Sequence, residues 1–310
     1  MALLILLLIL SVVLLYYGAE LSLDSAERIG FYLGLSPLVI GLLIVGFGTS
    51  LPEFFVSHLA TFRGRPELAL GNIVGSNVAN IFLILGVTGL FTRLIISGKD
   101  LFTQFIWHIL ITVCYSLVLY FKTIGIYVGI LSLGIFVSYL YFTLVKLKEH
   151  HQRSLDDVEG KQEVMFFIIA KLVLGIGLLY GGGELLVHSG SNLARSFGVS
   201  DYLISVVFVA FGTSFPELVT AILACVKKKN TDLITGNIIG SNIFNLTFVL
   251  GSLSVHGVTI SRTFYVEIAS LMFAAIFFII LNRVKLTFYK YSGALFLLIY
   301  SGMIYYWFVK

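Results

Sequence analysis

Charge is scarce in this sequence. Of its 310 residues only 12% are Asp, Glu, Lys or Arg while 58% are hydrophobic, whereas soluble domains carry about 25% charged and about half apolar residues. That shortage, with a mean hydropathy of +1.02, excludes a soluble globular domain. Cysteine is nearly absent too. Cys114 and Cys225 both fall in apolar runs, so neither a disulfide framework nor a thiolate metal site is available, and both are expected to pack. The chain has no H-E-x-x-H and no G-x-S-x-G, which removes the usual nucleophile-and-base or His-pair signatures of an intramembrane enzyme.

In place of charge there are apolar runs of about 20 residues, long enough to cross a hydrocarbon layer of about 30 Å as helix. They fall near 2–20, 37–61, 68–92, 101–121, 124–146, 164–187, 201–226, 232–256, 263–282 and 286–309. The first lacks the basic n-region and small-residue cleavage site of a signal peptide and is read as a span. Sorting Lys and Arg by loop puts 12 on one side and 6 on the other. The richer side holds Arg28, Arg93, Lys99, Arg153, Lys161, Arg283 and the triplet Lys227 to Lys229, read as a topology anchor. The positive-inside rule then sets both termini outside, in a multi-pass cell-membrane protein.

The sequence also repeats. "LLYYGAELSLDSAERIGFYLGLSPLVIGLLIVGFGTSLPE" from position 14 aligns without gaps on "LLYGGGELLVHSGSNLARSFGVSDYLISVVFVAFGTSFPE" from 178, with 17 identities in 40, and "GNIVGSNVANIFLILG" at 71–86 matches "GNIIGSNIFNLTFVLG" at 236–251. Each copy holds five runs, and an odd number makes the second copy enter the membrane from the opposite face. The expected fold is an all-α polytopic membrane protein, ten transmembrane helices as two inverted-topology repeats of five. The first repeat covers 1–145, a cytoplasmic linker 146–163, and the second repeat 164–310. The linker's charges, and its paired His150 and His151, are read as a solvated connection. Inverted repeats with interrupted helices are the architecture of secondary transporters, with substrate held near the midplane between the halves. The first and sixth helices are candidates for a moving gate.

Fourteen of the sixteen acidic residues lie in loops or near the ends of apolar runs; Glu53 and Glu217 lie well inside. Each costs about 3 kcal/mol at a bilayer centre, and no Lys or Arg stands in the middle of the second, third, seventh or eighth run to neutralise them. A bound cation or a proton must do so. Thr49 and Glu53 share a helix face, as do Thr213 and Glu217, with Ser50 and Ser214 one step round. Asn72, Ser76 and Asn80 recur at a spacing of four, matched by Asn237, Ser241 and Asn245. Pro52 and Pro216 each remove a donor from the helix ladder, freeing carbonyls near 46–49 and 210–213. Glycines 71 and 75, and 236 and 240, form a small-residue face for close helix approach.

Two carboxylates with hydroxyl, amide and backbone oxygens form a hard-oxygen set of formal charge −2. Such a set suits Ca²⁺, and the same oxygens can regroup around several Na⁺ or take up H⁺. Glu20 and Glu184 are repeat-matched but terminal, and are read as interfacial. His58, His108, His188 and His256 follow no repeat and are assigned packing or interface roles, as Trp107, Trp307, Tyr305 and Tyr306 are assigned to aromatic belts.

"GTSLPE" with "GNIVGSNVAN", and "GTSFPE" with "GNIIGSNIFN", resemble the two signature repeats of the calcium/cation antiporter superfamily, most closely its prokaryotic sodium/calcium exchangers. The resemblance runs from end to end of the chain. It implies that Glu53 and Glu217 are central Ca²⁺ ligands aided by the carbonyls of Thr49 and Thr213. Sodium sites would draw on Ser50, Ser76, Ser214 and Ser241 with the carbonyls of Gly46 and Ala210, and Asn80 and Asn245 would complete the polar cluster. In some relatives an aspartate stands where this chain has Asn245. The expected function is a secondary antiporter exchanging Ca²⁺ for Na⁺, with a Ca²⁺/H⁺ exchanger as the alternative. A channel is the rival from another class, and the transported ions are the only small partners expected, with no cofactor.

Overall fold

A computed structural model describes residues 1–120, 123–148, 165–198, 212–260 and 263–309. Ten helices occur among them, in chain order α1 (Ala2–Tyr32), α2 (Pro37–Phe62), α3 (Pro66–Phe91), α4 (Lys99–Tyr120), α5 (Ile126–Lys148), α6 (Met165–Ser196), α7 (Phe215–Val226), α8 (Thr231–His256), α9 (Tyr265–Arg283) and α10 (Lys290–Val309). The expected helical membrane architecture is present. Most of the 146–163 linker, with His150, His151 and Arg153, lies outside the described residues, as do the first part of the seventh run and Ala210.

α1 and α6 are longer than hydropathy predicted, with 31 and 32 residues. At 1.5 Å per residue each reaches about 45 Å, half as long again as the hydrocarbon layer. The apolar run of α1 stops near Glu20, but Glu20, Asp24 and Glu27 are tolerable helix residues that find cations. Lys227 Nζ pairs with the Glu20 carboxylate, and Lys229 Nζ lies 3.1 Å from Asp24 Oδ1 and also bonds Glu27. The Glu20 partner holds the Lys227 ammonium above the usual lysine range. Lys227 and Lys229 with Glu20, Asp24 and Glu27 therefore form a clasp between α1 and the α7–α8 turn, a contact that their separation in sequence hid.

Backbone contact, made possible by glycine, decides how the helices meet. A Cβ at Gly18 would fall 2.7 Å from the amide of Leu179 and one at Gly182 would fall 3.0 Å from the amide of Leu15, so α1 runs antiparallel to α6. α2 and α8 run parallel and closer still: Gly41 faces Leu233 and Asn237, while Gly46 faces Asn237 and Ser241. A Cβ at Gly236 would fall 2.5 Å from the carbonyl of Leu38, and one at Gly240 only 2.1 Å from that of Leu42. The small-residue face expected at 236 and 240 is thus in use. At Gly71 and Gly75 no described atom comes within 4 Å; residues 202–210, which the repeat pairs with 38–46, are outside the described residues.

α3 and α8 are mostly buried, whereas α1 and α6 expose most of their surface to the surroundings. A phenylalanine layer, Phe47 with Phe136 and Phe244 and Phe54 with Phe248, joins α2, α5 and α8. Four two-residue strands, absent from the sequence reading, tie the loops: β1 (Leu94–Ile95), β2 (Thr123–Ile124), β3 (Val258–Thr259) and β4 (Thr287–Phe288). β1 pairs with β4 and β2 with β3, both antiparallel. These are too short to carry an alternating pattern. Trp307, assigned to a belt, instead donates its indole N–H to Glu267 Oε1 at 2.7 Å.

The α2–α8 contact leads to a stability prediction. Gly240→Ala should lower the thermal midpoint of the detergent-solubilised protein by several degrees, since overpacking costs about 1–3 kcal/mol. Gly134→Ala on α5, where a Cβ would meet nothing within 4 Å, should be neutral or stabilising by up to about 1 kcal/mol. Equal damage from both substitutions would contradict the packing assignment.

Candidate functional site

The polar residues singled out in the sequence converge where α2, α3, α7 and α8 meet. The local chain path explains how. α2 opens at Pro37, passes through a π-helical stretch Ile40–Val45, and is interrupted at Ser50 (φ −89, ψ 5). A fresh helical segment starts at Leu51 with Pro52 in its first turn. Proline suits that place because the first turn has no intrahelical partner for its amide. The second copy does the same: Ser214 (φ −89, ψ 4) interrupts the chain and Phe215–Val226 restarts with Pro216. In both copies the interruption falls at the serine two residues before the proline.

Glu53 and Glu217 therefore each stand in the first turn of a helical segment. Unpaired amides and the positive end of the helix dipole favour a negative charge there. Both side chains are 0% exposed. Ser50 Oγ donates to Glu217 Oε1 at 3.0 Å; since Ser50 is one turn from Glu53 on α2, this bond draws the two acids to one level of the bundle. Glu53 Oε1, Glu53 Oε2 and Glu217 Oε2 have no hydrogen-bond partner.

Around the acids the bonds cross between the two halves of the sequence. Thr49 Oγ1 reaches Asn237 Oδ1 at 3.4 Å, and its counterpart Thr213 Oγ1 donates to Asn72 Oδ1 at 3.0 Å. Ser76 Oγ lies 3.2 Å from Thr213 Oγ1, and Ser241 Oγ donates to the Gly46 carbonyl at 3.0 Å. The Gly46 carbonyl also accepts the backbone N–H of Ser50 at 3.2 Å, so it is not freed from the helix ladder as the sequence suggested but shared with Ser241. Asn72 also donates to Ser57 Oγ at 3.1 Å. Asn80 and Asn245 are fully buried; Asn80 Nδ2 donates to Asn242 Oδ1 at 3.1 Å, while Asn80 Oδ1 and both polar atoms of Asn245 are unpaired. Ser214 Oγ is unpaired as well. Of the twelve expected residues, hydrogen bonds across the two halves hold Ser50, Glu217, Thr49, Thr213, Ser76, Ser241 and Gly46, and Asn80 bonds Asn242. Glu53, Ser214 and Asn245 are buried with unpaired oxygens, and Ala210 lies outside the described residues.

Asn77 and Asn242 were missed. Asn242 Nδ2 donates to the Asn77 carbonyl at 3.2 Å and lies 3.4 Å from His108 Nε2. The pair is repeat-matched in "GSN", and that was the available signal. They sit one step off the face of Ser76 and Ser241, so a strict spacing of four passed them over. His108, buried on α4, borders this amide network rather than packing among apolar groups alone. The π-helical stretches Ala79–Ile84 and Asn245–Val249 begin at or next to Asn80 and Asn245; such stretches frequently mark functional sites.

Six buried acceptor oxygens without partners, those of Glu53, Glu217, Asn77, Asn80 and Asn245, carry no hydrogen with which to satisfy one another, and the Ser214 hydroxyl and Asn245 Nδ2 beside them are unpaired too. A hard cation can draw on such a donor set. Among the described residues no group of three or more His, Cys, Asp or Glu forms a metal cluster.

Known proteins resemble this chain over most of its length. The family model described as sodium/calcium exchanger protein matches residues 3–145 and again 167–309. The putative antiporter CaxA of Alkalimonas amylolytica is 36% identical over 252 residues, covering 78% of this chain and 77% of that protein. The sodium/calcium exchanger MaX1 of Methanosarcina acetivorans is 29% identical over 287 residues, covering 79% and 81%. A solved structure of the sodium-calcium exchanger NCX_Mj superimposes with a TM-score of 0.84 at 28% identity, covering 98% of this chain and 99% of that one. With two matches to the family model spanning nearly the whole sequence, the chain belongs to the sodium/calcium exchanger protein family, a family of membrane ion exchangers and not of enzymes.

Proposed function

We propose that the chain exchanges Ca²⁺ for Na⁺ across the cell membrane by alternating access, with Glu53 and Glu217 as the central Ca²⁺ ligands. The observation that carries this reading is a pair of fully buried carboxylates, set between the two halves, with three of their four oxygens unpaired. One Ca²⁺ cancels their formal charge and draws on the neighbouring hydroxyl, amide and carbonyl oxygens. Sodium ions draw on the same groups through Ser50, Ser76, Ser214, Ser241 and the carbonyls of Gly46 and Ala210. An empty site retains its charge in a low-dielectric interior, so the protein crosses between its two faces only when loaded. That is the physical basis of exchange rather than leak.

The proposed two-way access rests on inversion of the halves. Three features support it. α1 runs antiparallel to its counterpart α6. α8 is parallel to α2, and so antiparallel to α3, which α8 repeats. β1 pairs with β4 and β2 with β3, so the strands that follow equivalent helices belong to different sheets. The domain limits 1–145, 146–163 and 164–310 follow from the same division. α1 and α6 are the proposed gate, since they are the least buried of the long helices and touch along glycines. The clasp from Lys227 and Lys229 to α1 consists of part-exposed pairs, each worth about 0–1 kcal/mol, a strength that allows it to open and close.

The Ca²⁺/H⁺ alternative differs only in the ion that replaces Ca²⁺. Vesicles loaded with the protein and given labelled Ca²⁺ separate the two: uptake should follow an imposed Na⁺ gradient, and uptake driven by a pH gradient alone would establish the alternative.

Glu53→Gln or Glu217→Gln, each keeping the shape of the side chain while removing one charge, should abolish Ca²⁺ flux in a protein that still elutes and melts as folded. Retained flux in either variant would sink the assignment of these acids.

Asn245→Asp should leave exchange working at pH 5.5 but alter its rate as pH rises toward 9. A third carboxylate near Glu53 and Glu217 is repelled by them and holds its proton longer; while protonated it replaces the amide as donor and acceptor. Indistinguishable pH profiles for the two proteins would remove Asn245 from the ion cluster.

For topology, cysteines placed at Arg63 and Lys228 in a variant lacking Cys114 and Cys225 should label from opposite faces, Lys228 from the cytoplasm. Labelling from one face would undo the inversion.

A further inference from the structure

At one end of the bundle the structure joins two histidines that the repeat does not relate. His58 stands near the end of α2 and His256 at the end of α8, and His58 Nδ1 lies 3.1 Å from His256 Nε2. The other nitrogen of His58, Nε2, lies 2.8 Å from Ser252 Oγ. Ser252 donates its own hydrogen to the Val249 carbonyl at 2.7 Å, so towards His58 it can only accept. His58 Nε2 must therefore carry the proton, which leaves Nδ1 as a bare lone pair facing His256. Phe54 packs on the His58 ring with centroids 4.5 Å apart and fixes its plane.

We propose that His58 Nδ1 and His256 Nε2 form a binding site for a first-row divalent transition metal of the Zn²⁺ type, bridging α2 and α8. A metal-ligating histidine characteristically donates its second ring N–H to an oxygen that fixes its tautomer and orientation, and Ser252 supplies that oxygen. The spacing also fits: with Zn–N bonds of about 2.0–2.1 Å and tetrahedral angles, two ligating nitrogens stand about 3.3 Å apart. Borderline ions that favour imidazole would choose this pair, while the hard Ca²⁺ would not. His256 and its neighbours Val255 and Gly257 are exposed, so the ion can enter from bulk solvent and water can fill the remaining positions. The site is separate from the carboxylates, although His58 is only five residues beyond Glu53 on the same helical segment. A metal here staples the end of α2 from the first half to the end of α8 from the second. If α2 and α8 shift relative to each other during exchange, occupancy slows it; this consequence rests on the proposed function, but the site itself does not.

The test is Zn²⁺ titration of the full purified chain at pH 7.5, with excess Ca²⁺ present to occupy the carboxylates. One Zn²⁺ per chain should bind to the wild type and equally to a Glu53→Gln/Glu217→Gln variant. His58→Gln and His256→Gln should each lose it, and Ser252→Ala should weaken it about 10-fold. Each variant is first checked for an unchanged melting profile without Zn²⁺. Co²⁺ in place of Zn²⁺ should give the visible absorption of a tetrahedral site, lost in the same two histidine variants. Binding that survives either histidine substitution, or no binding to the wild type, would overturn the proposal and leave the pair as a simple N–H to N hydrogen bond. Because the readout is binding and not flux, failure of the site is distinguishable from failure of the exchange reading.

Discussion

Two carboxylates buried without a basic partner are the constraint around which this protein is arranged. At about 3 kcal/mol each on insertion scales, and with mutual repulsion added, Glu53 and Glu217 would be among the most costly residues in the chain if their charge stayed uncompensated. The fold lowers that cost in ways that do not neutralise it. Each acid occupies the first turn of a helical segment, where the helix dipole favours a negative charge, and Ser50 donates one hydrogen bond to Glu217. Three carboxylate oxygens remain unpaired. The remaining compensation must come from outside the chain, and a cation that supplies it is bound only for as long as it stays. A group held in that way is a cargo.

The close packing of α2 on α8 follows from the same constraint. For oxygens on different helices to reach one ion, the helices must approach until their backbones touch, and only glycine at 41, 46, 236 and 240 allows this. Contact of that kind at the centre holds the oxygens at fixed distances, whereas α1 and α6 meet along glycines at the periphery with most of their surface exposed. Rigid contact at the centre and smooth contact at the periphery suit a structure whose outer helices move around a fixed site.

Much of this was legible in the sequence because the duplication acts as an internal control. A buried acid can be accidental once; acid, hydroxyls, amides and proline at equal spacing in both copies cannot readily be so. The helical architecture, and the hydrogen bonds that cross the halves between Ser50 and Glu217, Ser76 and Thr213, and Ser241 and Gly46, followed from that logic. What periodicity could not show was contact across the chain. Asn77 and Asn242 bond across the halves from the neighbouring face, and a spacing of four selects only one face. The π-helical stretches shift register within a helix without any residue that announces them. The clasp of Lys227 on Glu20 joins positions far apart in the chain, and His58 with His256 has no counterpart in the other copy. The lengths of α1 and α6 were underestimated because hydropathy records where the membrane ends, not where the helix does.

A cation that offsets the cost of the paired acids must show in the stability of the folded protein. Thermal unfolding would be followed at pH 8 in wild type and in the Glu53→Gln/Glu217→Gln double variant, first in buffer free of Na⁺ and Ca²⁺ and then with Ca²⁺. A ligand that binds only the folded state raises stability by RT ln(1 + [L]/Kd). The two melting temperatures should cross: without ions the double variant melts above the wild type, since it buries no charge at these positions, and with Ca²⁺ the wild type rises above a variant that does not respond. A wild type indifferent to Ca²⁺, or a variant stabilised by it to the same degree, would contradict the claim.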